Sequence, residues 1–226
     1  MRRDGDMVAV VCAHAVAGLD RQTRVPDHVF GGPDALARAA STGAGWIWLL
    51  ASGADPHADA LQRLLDARAI DGEQPASLLS GMVVGASGRA VDAGFPTGDG
   101  RSPADLIRLA GKRMLPIRFT AFANCLVAGD CFVRHGLPDR RRYGPYAAIE
   151  WSARALRDDA GYFVPASVVV LRPSVGRPFT VAAIPGLSRM LATGVWTRGE
   201  ALGNITSLGR AAFDVRSAAG RHGECP

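Results

Sequence analysis

The run Trp46-Ile-Trp-Leu-Leu50 carries no polar side chain on either alternating face. A strand with one wet face alternates apolar and polar residues, whereas one that is apolar throughout needs cover on both sides. Helices packed on two faces of a partly parallel sheet supply such cover, so the run predicts an α/β fold. Other segments fit that plan. The β-branched stretch 7–13 (MVAVVCA) predicts a buried strand, 28–30 starts a second, and 78–84 and 162–171 are two more, with 119–128 extended. Helical spacing falls between them, at 15–22, 34–40, 130–136 and 146–160. Asp55 reads as the N-cap of a further helix, with Pro56 its first residue and Leu61, Leu64 and Leu65 on one face. Ser102-Pro-Ala-Asp105 opens another in the same way. Residues 85–100 are glycine-rich and read as a hairpin followed by a loop. Strands alternating with helices are the α/β signature.

The chain has 226 residues, of which 48% are hydrophobic and 21% charged, so disorder and coiled coil are excluded. That length supports one large domain over 7–175, and beyond Pro173, Pro178 and Pro185 a helical extension over 176–226. The net charge of +5 rests almost wholly on arginine, since Lys112 is the only lysine. The arginines are spread along the chain, with Arg140, Arg141 and Arg142 the densest run, so nucleic acid is not the expected partner. Cys12, Cys125, Cys131 and Cys225 form no C-x-x-C pair and have no histidine at zinc-finger distance, as expected of reduced cytoplasmic thiols. No apolar run reaches the ~20 residues of a spanning helix, and no signal peptide is legible. The expected location is the cytoplasm, peripheral at most to the inner face of a membrane. The five histidines show no metal-binding spacing, and neither a phosphate-cradling P-loop nor a G-x-S-x-G nucleophile elbow is present. His57 reads as a surface residue of a first helical turn, and Asn204-Ile-Thr206 as a sequon without a secretory context.

Three segments together resemble the family 2 glycosyltransferases of bacterial type. GAGWIWLLASGADPHADALQRLL is similar to the family's central strand, loop and D-A-L helix, matched at Pro56 and Asp59-Ala60-Leu61. FANCLVAGDCFVRHGLPDRRRYGPYAAIEWSARALRDDAGYFVP resembles its later G-L-P-D … V-E-W-S-x-R motif, matched at Gly136-Leu-Pro-Asp139 and Glu150-Trp-Ser-Ala-Arg154. RQTRVPDHVF looks like its first helix-to-strand turn. The resemblance covers most of residues 7–171 in order. It implies a GT-A-like nucleotide-diphospho-sugar transferase fold, a Rossmann-like sheet with flanking helices.

The departures from the family lie where its chemistry is done. Family members follow the central strand with acids that hold Mn²⁺ or Mg²⁺, a hard cation taking oxygen ligands and steadying the leaving diphosphate. Here those positions are Ala51, Ser52 and Gly53, and Asp55 is left as a weak candidate ligand better explained as a cap. The carboxylate that takes the acceptor's proton is replaced by Ala147 and Ala148. Glu150, three residues on, either substitutes for it or pairs with Arg154 at i,i+4. The histidine that completes the metal site gives way to Val170, Leu171 and Arg172, and the V-D-N-G-S nucleotide loop to Phe30-Gly-Gly-Pro33. Arg140, Arg141 and Arg142, with Tyr146 and Trp151 beyond them, sit where the resemblance implies an acceptor-binding loop.

The expectation is therefore a degenerate relative that binds a partner transferase or lipid-linked glycan in glycan or cell-envelope assembly and needs no cofactor. The alternative is an active transferase moving a sugar from a nucleotide sugar to a glycan or lipid-linked acceptor. It would use Mn²⁺ or Mg²⁺, with Glu150 catalytic; whether an acid from elsewhere, such as Asp92 or Asp99, enters the pocket is left open by the sequence.

Overall fold

The computed structural model describes residues 7–12, 16, 18–68, 75–86, 88, 90–92, 103–111 and 113–172. The central strand is β3, Trp46–Leu50, flanked by β1 (Val8–Cys12) and β8 (Asn124–Ala128). Beyond β1 lies β2 (His28–Gly31); beyond β8 come β5 (Ala76–Gly85), β9 (Ala160–Leu171) and β4 (Ala54–Pro56). Two short strands attach outside this path, β6 (Ala90–Asp92) on β5 and β7 (Leu115–Pro116) on β9. Strands β1, β2 and β3 are parallel, as are β5 and β9, while β8 runs antiparallel between β3 and β5. The carboxyl ends of β3, β5 and β9 therefore share one edge of the sheet.

Alternation along these strands loads two cores. Ile47, Leu49, Val127, Leu78 and Phe163 face one way, against α1 (Ala35–Ser41), α4 (Gly129–His135) and α6 (Ala147–Ala155). Trp48, Leu50, Leu126, Leu79 and Val169 face the other, against α2 (Ala60–Asp66) through Leu61, Leu64 and Leu65. The sheet is thus covered on both faces, which the uninterrupted apolar run of β3 demanded. The α/β architecture expected from the sequence, a Rossmann-like sheet with flanking helices, is what the chain forms. Helix α3 (Pro103–Ala110) begins at the predicted proline. The hairpin predicted within 85–100 is β5–β6, turning at Gly88 with φ +76°.

Four local expectations are corrected. Asp55 and Pro56 belong to β4, paired with Val170 and Val169 of β9, and not to a helix start; α2 begins at Ala60 with Asp59 preceding it. The pairing wins because Gly53, at φ +75°, closes a turn in which Ala54 N–H donates to Ala51 O. A positive φ at the third turn position favours glycine, and that turn delivers the chain to the open edge of β9. Residues 18–21 form a turn, not a helix. Asp130 lies in the first turn of α4, whose N-cap is Ala128, although Gly136 ends that helix as expected, at φ +68°. Residues 140–143, read as loop, make the short helix α5 (Arg140–Tyr143), capped by Asp139 accepting from Arg142 N–H at 2.9 Å. The helical extension over 176–226, Asn204, Asp99, Cys225 and the rest of the C-terminal segment lie outside the described residues.

Candidate functional site

In open α/β sheets, ligands bind outside the carboxyl ends of the strands. At that edge the chain leaves β3 through Ala51, Ser52 and Gly53 and enters β4. A shallow, open depression of about 510 Å³ lies there, lined by the segment Asp55–Asp59 with Arg21 and Val170. Two backbone bonds shape its floor: His57 N–H donates to Val168 O (3.0 Å) and Arg172 N–H to Gly53 O (3.0 Å). Behind it, the buried Gln22 amide donates to His57 O (2.8 Å) and accepts from Leu61 N–H (3.2 Å), which ties residues 18–23 to the start of α2.

Asp55 stands between two guanidinium groups. Arg172 Nε donates to its carboxylate at 3.1 Å and a second Arg172 nitrogen contacts the same oxygen. Arg21 approaches the other oxygen at 3.8 Å. Asp59, the other acid at the rim, is held by Arg63 at 2.9 Å. Among the described residues no group of three His, Cys, Asp or Glu side chains is gathered as a metal would need. The donor set does not fit a divalent cation. Mg²⁺ and Ca²⁺ take six or more oxygens, and here one carboxylate is already neutralised by arginines whose charge opposes a cation.

Glu150 lies elsewhere. It is buried, 7% exposed, on α6 and thus on the opposite face of the sheet from α2. Its carboxylate accepts from Arg154 Nε at 3.0 Å, the i,i+4 pair, and Arg154 in turn reaches His135 O. No hydrogen bond or ion pair joins Glu150 to the lining of the depression among the described residues. Asp92 is on β6.

Arg140, Arg141 and Arg142 are exposed on α5, and the Arg142 guanidinium lies 5.3 Å from the Tyr143 ring centre. Neither Arg140 nor Arg141 is paired with a carboxylate among the described residues. Tyr146 and Trp151 are buried. Trp151 stacks on Phe132 with ring centres 4.6 Å apart and donates Nε1–H to Gly136 O (2.6 Å). Burial raises the Tyr146 phenol above its ordinary pKa.

A second polar cluster forms around Asp159, just before β9. His135 Nε2 lies 2.8 Å from one carboxylate oxygen, while Arg134 (2.8 Å) and the Ser77 hydroxyl (3.2 Å) contact the other. Burial pushes this carboxyl up, but the hydrogen bonds from His135 and Arg134 and the charge of Arg134 outweigh it, and its pKa falls below the ordinary value. Cys131, next to it, is pushed up to about 11 by burial and by the Asp159 charge, so it stays a thiol and is no nucleophile.

Sequence reasoning brought Asp55 and Arg172 into view separately and missed Arg21 and Gln22. Arg21 stood inside a stretch read as helix and turn, and no local pattern tells that a turn arginine folds onto a strand 34 residues later. The only signal was Gly18, whose φ of +78° and lack of a side chain leave room for the Arg21 guanidinium, 2.9 Å from where a Cβ would be.

No family model and no curated protein matches the chain. Among solved structures it is similar to GalNAc-T7 with UDP, GalNAc and Mn²⁺, with TM-score 0.49 and 12% identity, over 82% of this chain and 47% of that one. It is also similar to A197 from STIV, with TM-score 0.46 and 8% identity, over 77% of this chain and 99% of that one. The chain spans about half the length of the first of these. At such identities no residue role carries over, and the α/β architecture stands on the strand order and two helical layers themselves.

Proposed function

We propose that the chain is a GT-A-like domain of the family 2, bacterial glycosyltransferase type, occupying residues 7–175, whose metal-dependent transfer machinery is lost. It acts as a binding or accessory partner in glycan or cell-envelope assembly at the inner face of a membrane. The ordered motifs, from the central strand through Gly136-Leu-Pro-Asp139 to Glu150-Trp-Ser-Ala-Arg154, support the family. The observation that carries the loss of transfer is the clasp on Asp55: the first acid after β3 is engaged by Arg172 and Arg21. Glu150 supports it from the other face, being tied to Arg154 where a free base is required. The exposed Arg140, Arg141 and Arg142 are the surface that meets an anionic, lipid-linked glycan. No described helix is long and apolar enough to cross a membrane, so attachment of this domain would be peripheral.

The test is turnover. Purified protein is incubated with UDP- and dTDP-sugars, Mn²⁺ or Mg²⁺ and membrane extract, and release of the nucleoside diphosphate is followed. The expected result is no metal-dependent release above a heat-treated control. Metal-dependent release that disappears in Glu150→Gln would overturn the proposal and establish the active transferase with Glu150 as its base.

A further inference from the structure

The acids that the family resemblance leads one to expect at the end of β3 are absent, and what replaces them has the opposite charge preference. Arg21 lines the depression and Arg172 reaches it through Asp55, each arginine 68% exposed at the side chain, while the Asp55 between them is 21% exposed. Two guanidiniums to one carboxylate leave an excess of one positive charge at the mouth. Asp59 does not cancel it, since Arg63 already holds that carboxylate.

Both arginines are placed by the backbone. Arg172 is the first residue after β9, and its main-chain N–H is anchored on Gly53 O. Arg21 closes a turn on Gly18 O (3.2 Å), its guanidinium lying over the side-chain-free Gly18. A guanidinium carries five N–H donors. Arg172 directs two of its nitrogens at Asp55 and Arg21 approaches that carboxylate with one, so Asp55 uses up neither fork. Planar forks of this kind bind phosphate oxygens in pairs.

We propose that this depression is a metal-independent oxyanion site for a phosphate or diphosphate group, with Arg21 and Arg172 as its jaws and Asp55 as a built-in competitor. Asp55 holds the two arginines in place when the site is empty and yields them when a more highly charged anion arrives. That the physiological ligand is the diphosphate of a nucleotide rests on the GT-A-like reading above; the charge argument does not.

The experiment is calorimetric titration of the full chain with inorganic pyrophosphate, and separately with UDP, first in EDTA and then with Mn²⁺. Binding in EDTA is expected to match that with Mn²⁺. Arg21→Ala and Arg172→Ala should each weaken it about tenfold, Arg172→Lys less than Arg172→Ala, and Arg157→Ala, an exposed arginine after α6, not at all. Asp55→Asn is the deciding variant: freed of the competitor, the arginines should bind pyrophosphate several-fold more tightly. A metal ligand would behave in the reverse way. Binding that appears only with Mn²⁺ and vanishes in Asp55→Asn overturns the proposal, as does no binding of either probe at millimolar concentration in a wild-type protein that melts cooperatively. UDP binding more tightly than pyrophosphate identifies a nucleotide as the source of the phosphate, and equal affinities identify phosphate alone; both keep the site. Failure here would leave the turnover result untouched, so the two readings fall separately.

Discussion

Gly81, within β5, faces the side chains of Asn124 and Ser167, and Asn124 in turn holds Trp48. A Cβ there would collide with the Asn124 amide nitrogen and come within 2.7 Å of Ser167 Oγ. Those atoms are not free to move. Asn124 accepts from Trp48 Nε1–H at 3.0 Å and donates to Ser167 Oγ at 3.2 Å, while Ser167 donates to Ala60 O at 2.9 Å. All three residues are buried, so shifting one leaves unpaired polar atoms in a dry interior. Gly81→Ala should therefore lower unfolding free energy by about 3 kcal/mol, from overpacking together with a lost buried hydrogen bond. Urea denaturation followed by tryptophan emission measures it; a change under about 0.5 kcal/mol would mean that the network relaxes freely. Much at this scale was illegible in the sequence. Asn124 and Ser167 read there as ordinary strand residues, because only the sheet register brings positions 43 residues apart into contact. Glu150 was the reverse case, since its partner lay four residues away and helical geometry announced it.

Between elements, the Asp159 clasp joins the start of β9 to α4 and β5. Its carboxylate is 7% exposed at the side chain and charged, held by His135 from one side and Arg134 and Ser77 from the other. A folded-state pKa below the unfolded value of about 3.9 means that the clasp stabilises the fold fully above that pH, and loses its effect as pH falls through the folded value. Asp159→Asn should cost roughly 2 kcal/mol near neutrality. The gap between variant and wild type should close as pH falls below about 4. Urea midpoints measured from about pH 7 to pH 3 check the sign; a gap that widens on acidification would contradict it. Elements themselves were readable where one periodicity dominated. Strand β3 was found with its predicted bounds, and β1, β5, β9 and α1 within a few residues at each end, whereas α6 stops at Ala155, five residues short of the helix predicted over 146–160, because Ala160 already belongs to β9. The misreading at Asp55-Pro56 has a physical cause. A capping acid followed by proline is locally a good helix start, but the Gly53 turn and the open edge of β9 offered three residues a ladder instead. Tertiary pairing overrode local propensity at the place where the site is built.

At the scale of the molecule, exposed arginines gather at two places among the described residues. One is the depression between Arg21 and Arg172, the other the α5 surface, with Leu137 and the 80%-exposed Val133 in the segment before it. Replacing Arg140, Arg141 and Arg142 by glutamine should weaken binding to vesicles containing anionic lipid by tenfold or more at low salt. The difference should shrink as ionic strength shortens the screening length to about 8 Å and below. Co-sedimentation at two salt concentrations reads this out, and unchanged wild-type and variant binding would remove the patch from the proposed function. The overall class was legible because a both-faces-apolar strand leaves few architectures open. The cluster of Arg21, Asp55 and Arg172 was not legible, since its members are far apart in the chain and leave no motif of their own.

Strand β8 has five residues, yet it alone stands between β3 and β5. The parallel ribbon β2–β1–β3 and the β5–β9 pair have no other seam in the described sheet. A ribosome that has delivered β3 and β5 to the tunnel exit has made the β2–β1–β3 ribbon and a β5 strand still lacking both long partners, since β8 and then β9 follow it in the chain. Residues 124–128 are therefore the keystone on which the ribbon and β5 first meet, and β9 closes the far side of β5 afterwards.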